Sequence, residues 1–252
     1  MFLTILFLCS SGFIAGFIDS IAGGGGLISL PALLAAGIPP HLALGTNKFQ
    51  SMFGTAGAVI NYAKKNKIMW KAALVGVPFA LFGSWAGARM TLFIPASTLS
   101  KVLIFMLPLA VILMITSNAL VNKKAEPKHS KRNIYITVSL VCLFVGIYDG
   151  FFGPGTGTFL IVLMVLLCKI PLINASATAK VFNLASNIGA VVIFIVSGHV
   201  YYSLGVAMAV SNIAGNLTGS TLAIKRGNTF IQKFVYIAIG ILFAYLVWNQ
   251  YN

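Results

Sequence analysis

Charged side chains are scarce in this chain, and four of them recur in a matched pattern. Asp19 stands in the stretch GFIDSIAGGGG, which is followed by a Thr-Asn-Lys triplet ending at Lys48. Asp149 stands in the stretch GIYDGFFGPGTG, which is followed by a Thr-Ala-Lys triplet ending at Lys180. The chain has only three acidic residues, so two of them belong to this pattern. Acids and bases at matched positions of an apolar chain indicate a site that handles a polar solute.

The glycine-rich stretches supply the chemistry of an anion site. Glycine accepts positive φ, so such a run permits irregular backbone at membrane depth. A short helix that begins after the run points its free N–H groups and partial positive charge back at the loop. A lysine adds a full positive charge, and these features together favour binding of a small oxoanion. The residues expected to contact it are Gly23, Gly24, Gly25, Gly26, Thr46, Asn47, Lys48, Gly153, Gly155, Thr156, Gly157, Thr178, Lys180 and Asn183, with further donors at Gln50, Ser51, Ser186 and Asn187.

Two roles are open for Asp19 and Asp149. Each could neutralise the lysine of its own stretch, Asp19 with Lys48 and Asp149 with Lys180, because a buried charge is rarely left unpaired. Alternatively, one of them could take up a proton as the solute moves, because burial favours the neutral form of a carboxyl group. The residue types allow both charge pairing and coupling.

The composition of the chain is that of a membrane protein. Hydrophobic residues make up 59% of the 252 residues and charged residues 8%, and the mean hydropathy is +0.97. Soluble domains carry roughly 25% charged residues. The net charge of +14 does not indicate nucleic acid, because the basic residues outside the two triplets lie near predicted helix ends and face lipid headgroups. The expected partners are the lipid bilayer and a small anionic solute, and the oligomeric state stays open.

Apolar segments divide the chain into eight long helices and two short ones. A crossing needs about 20 apolar residues. The long segments are 1–19, 42–63, 72–89, 102–120, 134–149, 175–198, 204–224 and 231–248. The short segments 27–36 and 158–167 reach only about 15 Å, half of the hydrocarbon. The pattern predicts an all-α polytopic membrane protein in which the short segments span half the bilayer or are re-entrant. Gly-xxx-Gly pairs at 83–87 and 215–219 predict close helix packing.

The repeated pattern divides the chain into two transmembrane repeats, 1–121 and 134–252, joined by a basic linker at 122–133. If the second repeat is inverted, thirteen basic residues outside the two triplets fall on one side of the membrane and two on the other. Parallel repeats give nine and six. Because cytoplasmic loops hold the excess of Lys and Arg, we expect inverted repeats with both termini outside and the linker in the cytoplasm. The short segments would then bring both polar stretches to mid-membrane as two walls of one site.

Cysteine and histidine form no ligand pattern. The three cysteines lie in apolar runs, and the three histidines are scattered. No nucleophile is paired with a plausible base. We therefore expect neither metal nor cofactor, and the pattern disfavours an enzyme.

The first polar stretch resembles the TauE/SafE family of sulfite exporters and sulfonate permeases. The resemblance rests on GFIDSIAGGGGLISLP beginning at Gly16 and on GTNK ending at Lys48. The second stretch differs, since Pro154 and Thr156 interrupt the glycine run and Ala179 stands opposite Asn47.

The resemblance implies secondary transport of a sulfur oxoanion or organosulfonate across the bacterial inner membrane, without ATP. Combined with the residues, it favours alternating access, with proton coupling through the aspartates as one mechanism. A passive anion channel of the same architecture is the alternative.

Overall fold

Helices make up the regular structure of the part of the chain that is described. The computed structural model describes residues 2–103, 106 and 131–251, and it describes side chains for residues 2–103, 106 and 134–227. The helices are α1 (Phe2–Ala22), α2 (Gly26–Ala35), α3 (Pro40–Lys64), α4 (Trp70–Leu92), α5 (Lys131–Phe151), α6 (Thr156–Cys168), α7 (Leu172–Val196) and α8 (Tyr202–Tyr251). A further helical segment covers 96–103.

The prediction of an all-α membrane protein is confirmed for these residues. Four of the described segments are long and apolar enough to cross a bilayer: Phe2–Ala22, Trp70–Leu92, Ile134–Phe151 and Leu172–Val196. The two short segments are helices of 10 and 13 residues. The prediction of eight crossings stays a prediction. The predicted segment 102–120 and the linker 122–133 lie almost entirely outside the described residues.

The last two predicted segments fall within one helical stretch. Helix α8 is interrupted at Gly227, where φ is +69° and ψ is −159°. This backbone is not helical, so the stretch consists of two helices that meet at Gly227. The break lies between the segments 204–224 and 231–248 predicted from hydropathy.

Proline sets the start of the two central helices. Helix α3 begins at Pro40, directly after Pro39, and helix α7 begins directly after Pro171. Proline has a fixed φ and no N–H group, so it suits a helix start, where the N–H groups have no partner inside the helix. Each of these helices is 25 residues long. Between them they carry half of the buried polar side chains of the described residues: Thr46, Asn47, Lys48, Gln50, Thr55, Ser176, Thr178, Lys180, Asn183, Ser186 and Asn187.

Glycine contacts show that α1 packs beside α8 with both helices running the same way. Gly12 lies against Met208 and Gly16 against Asn212. Farther along both helices, Ser20 meets Gly219. Each of these glycines lacks room for a side chain, so the two backbones approach closely.

Helices α4 and α5 pack in the same manner. Gly83 lies against Leu143 and Gly87 against Ile147, so these two helices also run in the same direction. The predicted close packing at both Gly-xxx-Gly pairs is confirmed, because Gly215 and Gly219 likewise contact backbone atoms of α1.

The two central helices run in opposite directions. Gly45, near the start of α3, contacts the backbone of His199 beyond the end of α7. Met69, beyond the end of α3, bonds to Thr178 near the start of α7. Helix α3 also packs on α8, and α7 on α4. Helices α1, α3 and α8 therefore share one direction, and α4, α5 and α7 share the other.

Candidate functional site

Two glycine loops meet at the centre of the molecule. The first joins α1 to α2, and Gly23 in it has a φ of +72°. The second joins α5 to α6, and Gly153 and Gly155 have φ values of +94° and +84°. A Cβ atom on Gly23 would overlap the backbone of Gly157. Glycine is therefore required at Gly23 both for its backbone conformation and for the contact between the loops.

Two buried ion pairs flank these loops, and each joins one half of the chain to the other. Lys48 Nζ lies 2.6 Å from Asp149 Oδ1, and Lys180 Nζ lies 2.9 Å from Asp19 Oδ2. The expectation that each aspartate neutralises the lysine of its own half is therefore wrong.

The pairing is crossed although the four charged groups lie close together. Asp19, Lys48 and Asp149 line one small cavity. Within it, Lys48 pairs with Asp149, and Asp19 pairs with Lys180.

The two aspartates are held differently. Asp149 also accepts a hydrogen bond from Ser186 Oγ at 2.5 Å, and its side chain is 2% exposed. Asp19 accepts longer bonds from the backbone N–H groups of Gly24 and Gly25, at 3.2 and 3.5 Å, and its side chain is 14% exposed. Side chains thus bind both carboxylate oxygens of Asp149. Asp19, apart from its ion pair with Lys180, is bound by loop amides, and its side chain is the more exposed of the two.

A small cavity lies between the loops and the central helices. Its volume is about 20 Å³, which is room for roughly one water molecule. Its lining residues are Asp19, Gly24, Gly25, Gly26, Asn47, Lys48, Ser51, Asp149, Gly153, Gly155, Thr156, Gly157, Asn183 and Asn187. The lining is polar on all sides, and it draws residues from both halves.

Most of the residues expected to contact an anion line this cavity, and four do not. Gly23 lies in the loop contact, and Lys180 lies behind Asp19. Thr46 accepts a hydrogen bond from the backbone N–H of Tyr201, and Thr178 accepts one from Met69. Each threonine thus binds the residue that precedes α8 or α4, so these two hydroxyl groups hold helix starts.

Asn47 is oriented by two neighbours. Ser29 Oγ donates to Asn47 Oδ1 at 2.5 Å, and Gln50 Nε2 donates to the same oxygen at 3.1 Å. Because both bonds use the carbonyl oxygen, the NH₂ group of Asn47 remains for the cavity. Ser29 stands in the apolar run of α2, so its role could not be predicted from the sequence.

Asn187 offers a second amide to the cavity. Its Nδ2 atom is buried and has no hydrogen-bond partner among the described residues. A buried N–H group without an acceptor is costly, so the site favours an occupant with acceptor oxygens. Asn187 was expected only as a nearby donor, and the structure places it in the wall itself.

Two contacts join the ends of α3 and α7 and the loops beside them. At one end, the ring centroids of His41 and His199 lie 5.3 Å apart. At the other end, Asn174 Nδ2 donates to the carbonyl oxygen of Lys67 at 2.9 Å. The pKa of His199, in the loop before α8, lies below its ordinary value because of partial burial and because of repulsion from His41.

These features define a polytopic helical membrane protein with a small, charged cavity lined by both halves of the chain. The chain belongs to the TauE/SafE family: the model of that family, described as sulfite exporter TauE/SafE, matches residues 8–246. The chain contains no group of three or more His, Cys, Asp or Glu residues placed to hold a metal ion within the part that is described.

Relatives of the chain carry transporter names. It is 38% identical over 234 residues to a probable membrane transporter protein, ORF9, of Sinorhizobium sp, covering 92% of this chain and 88% of the relative. It is 35% identical over 242 residues to the probable membrane transporter protein YfcA of Escherichia coli K12, covering 95% and 88%. The probable membrane transporter protein YdhB of Bacillus subtilis is 28% identical over 239 residues, covering 95% and 97%. No solved structure matches the chain.

Proposed function

We propose that this chain is a secondary transporter that moves a small anion, a sulfur oxoanion or organosulfonate, across the bacterial inner membrane. Its membership of the TauE/SafE family and the names of its relatives support a membrane transporter. The reason for proposing an anionic substrate is the pair of buried lysines beside the two glycine loops. Coupling to protons is part of the proposal, because two buried carboxylates lie in the same site.

The chemistry of the site supports an oxoanion in particular. The carboxylate of Asp19 already accepts bonds from Gly24 and Gly25 and pairs with Lys180. A carboxylate presents two oxygens with one shared negative charge, as one edge of a sulfonate or sulfite does. The contacts of Asp19 therefore illustrate how loop amides and a lysine would bind an anion here.

The small size of the cavity favours a carrier over the alternative, a passive channel. A cavity of about 20 Å³ is too small for a polyatomic anion, so its walls must move apart to admit one. Contacts near both ends of the helix pair α3 and α7 join the two halves of the chain. Relative motion of the halves would break one set at a time, which is alternating access.

The helix directions support inverted repeats. Helices α1, α3 and α4 of the proposed repeat 1–121 correspond to α5, α7 and α8 of the proposed repeat 134–252. Each helix of the first set runs opposite to its counterpart, as the contacts between the helices imply. We therefore retain the proposed topology, with both termini outside and the linker 122–133 in the cytoplasm. A reporter fused to the C-terminus tests it, since a cytoplasmic signal contradicts the topology.

Uptake into proteoliposomes tests the transport function. Purified protein is reconstituted, a pH difference is imposed across the membrane, and ³⁵S-sulfite is followed on both sides. A proton-coupled carrier accumulates sulfite beyond equal concentrations, and dissipating the pH difference with a protonophore abolishes the accumulation. Equal concentrations under every pH difference indicate the channel instead. A thermal-shift screen of sulfite, sulfate, thiosulfate, sulfoacetate and simple carboxylates tests the substrate class, and a preference for carboxylates counts against sulfur anions.

A further inference from the structure

The closed site is electrically neutral. Two lysine ammonium groups and two aspartate carboxylates form its two ion pairs, and these four groups sum to no net charge. The four side chains are at most 14% exposed. Adding an anion to such a site leaves an uncompensated buried negative charge, which is costly in a low-dielectric interior. An anion should therefore enter together with one positive charge for each negative charge that it carries.

The lysines are already ionised partners, so the positive charge must reach a carboxylate. If an anion takes the place of Asp19 beside Lys180, the displaced carboxylate becomes neutral by accepting a proton. The carboxylate and one proton become a carboxylic acid, Lys180 keeps its proton, and the ion pair with Asp19 is replaced by one with the anion. The net charge of the site stays at zero.

The surroundings of the two aspartates decide which one is displaced. Asp149 is fixed by Lys48 at 2.6 Å and by Ser186 at 2.5 Å. Asp19 has a longer ion pair, two long bonds to loop amides and the more exposed side chain. The loop amides that bind Asp19 would also be free to bind the anion once the carboxyl group is protonated.

We propose that Asp19 is the proton-accepting residue of the transport cycle, whereas Asp149 is a positioning residue that stays ionised and holds Lys48. This inference rests on the proposed function, since it assumes that an anion binds in the cavity. It assigns different roles to two aspartates that occupy equivalent places in the sequence repeat.

Proton uptake on anion binding tests the assignment. The probe is methanesulfonate, a sulfonate that does not titrate near neutral pH, mixed with purified protein in weak buffer containing a pH indicator. Calorimetry gives the amount bound. Wild-type protein should take up about one proton for each methanesulfonate bound, and its affinity should fall about tenfold per pH unit above the pKa of the accepting group.

The two glutamate variants form a matched pair, because each keeps a carboxylate and so keeps the site neutral. Infrared difference spectra of wild-type protein should show the C=O band of a newly protonated carboxyl group when methanesulfonate binds. This band should shift in Asp19→Glu and stay in place in Asp149→Glu. A band that shifts in Asp149→Glu and not in Asp19→Glu overturns the assignment. If a variant does not fold, the pH dependence of wild-type affinity still decides whether a proton is taken up.

Failure of the inference and failure of the proposed function give different results. If wild-type protein binds methanesulfonate without taking up protons, Asp19 is not the proton acceptor, but the proposed anion site is still supported. Repeating the titration with and without Na⁺ then shows whether another cation balances the charge. Protein that binds neither methanesulfonate nor sulfate overturns the inference and the proposed anion function together.

Discussion

The two polar stretches carry the same charges in different hydrogen-bonding surroundings. Around the first, Asp19 accepts hydrogen bonds from loop amides in addition to its ion pair with Lys180, and Asn47 is oriented by Ser29. Around the second, Asp149 is held by Ser186, and Ala179 stands where the first has Asn47. The two ion pairs are thus alike, while the neighbouring side chains differ. Two similar polar stretches can in this way hold one carboxylate firmly and leave the other easier to displace.

The crossed ion pairs make the two stretches depend on each other. Lys48 of the first half is neutralised by Asp149, and Lys180 of the second half by Asp19. A motion that separates the halves therefore also separates charges, and an arriving anion or proton would lower that cost.

The largest loss of function is expected from Lys48→Ala. The variant removes a cation of the cavity wall and leaves Asp149 buried without its ion partner. Sulfite uptake into proteoliposomes should fall by about 100-fold or more, because the electrostatic stabilisation of the anion is lost. Membrane expression should be retained. Lys64→Ala, at the exposed end of the same helix, is the control, and near-normal uptake by Lys48→Ala would remove Lys48 from the site.

Next in size is the effect of Gly23→Ala on folding. The new Cβ overlaps the backbone of Gly157, and φ at this position is +72°. Gly37→Ala is a matched control, because φ is +80° there but nothing lies within 4 Å of an added Cβ. We expect Gly37→Ala to cost about 1–2 kcal/mol from backbone strain alone. Gly23→Ala should cost clearly more, seen as loss of monodisperse protein or a much lower Tm. Equal Tm values for the two variants would mean that the loops do not touch.

Ser186→Ala tests whether the hydrogen bond from Ser186 fixes the carboxylate of Asp149. The hydroxyl donates to a charged oxygen at 2.5 Å, so its removal should cost about 1.5–3 kcal/mol and raise the KM for sulfite. Ser139→Ala removes a hydroxyl that bonds only to its own helix, at Tyr135, and serves as the control. An unchanged KM and Tm in Ser186→Ala would show that the two aspartates are held equally.

The smallest effect is expected at the contact between His41 and His199. The pKa of His199 is lowered by partial burial and by His41. Because the unfolded chain then binds the proton more readily, the contribution of His199 to stability falls as pH drops below about 6.5. In NMR of histidine-labelled protein, the His199 signal should titrate below about 6.5, and His41→Gln should raise its pKa. A His199 pKa that is unaffected by His41→Gln would contradict the proximity of the two rings.

The sequence predicted the helical fold because hydropathy and glycine spacing are local signals. It also predicted most of the cavity wall, since Asp19, Lys48, Asn183 and the glycine loops are polar or glycine-rich elements in an apolar chain. The pairing of charges was wrong, because it depends on contacts between the two halves of the chain. The roles of Thr46 and Thr178 could not be predicted either, since their partners lie more than 100 residues away in the sequence.

Calorimetric titration of sulfite into wild-type, Lys48→Ala and Lys180→Ala protein tests the central claim that both stretches form one anion site. We expect about one sulfite per wild-type chain and no measurable binding to either variant, because each lysine belongs to the same site. About two sulfites per wild-type chain, with one retained in each variant, would contradict it by showing two independent sites.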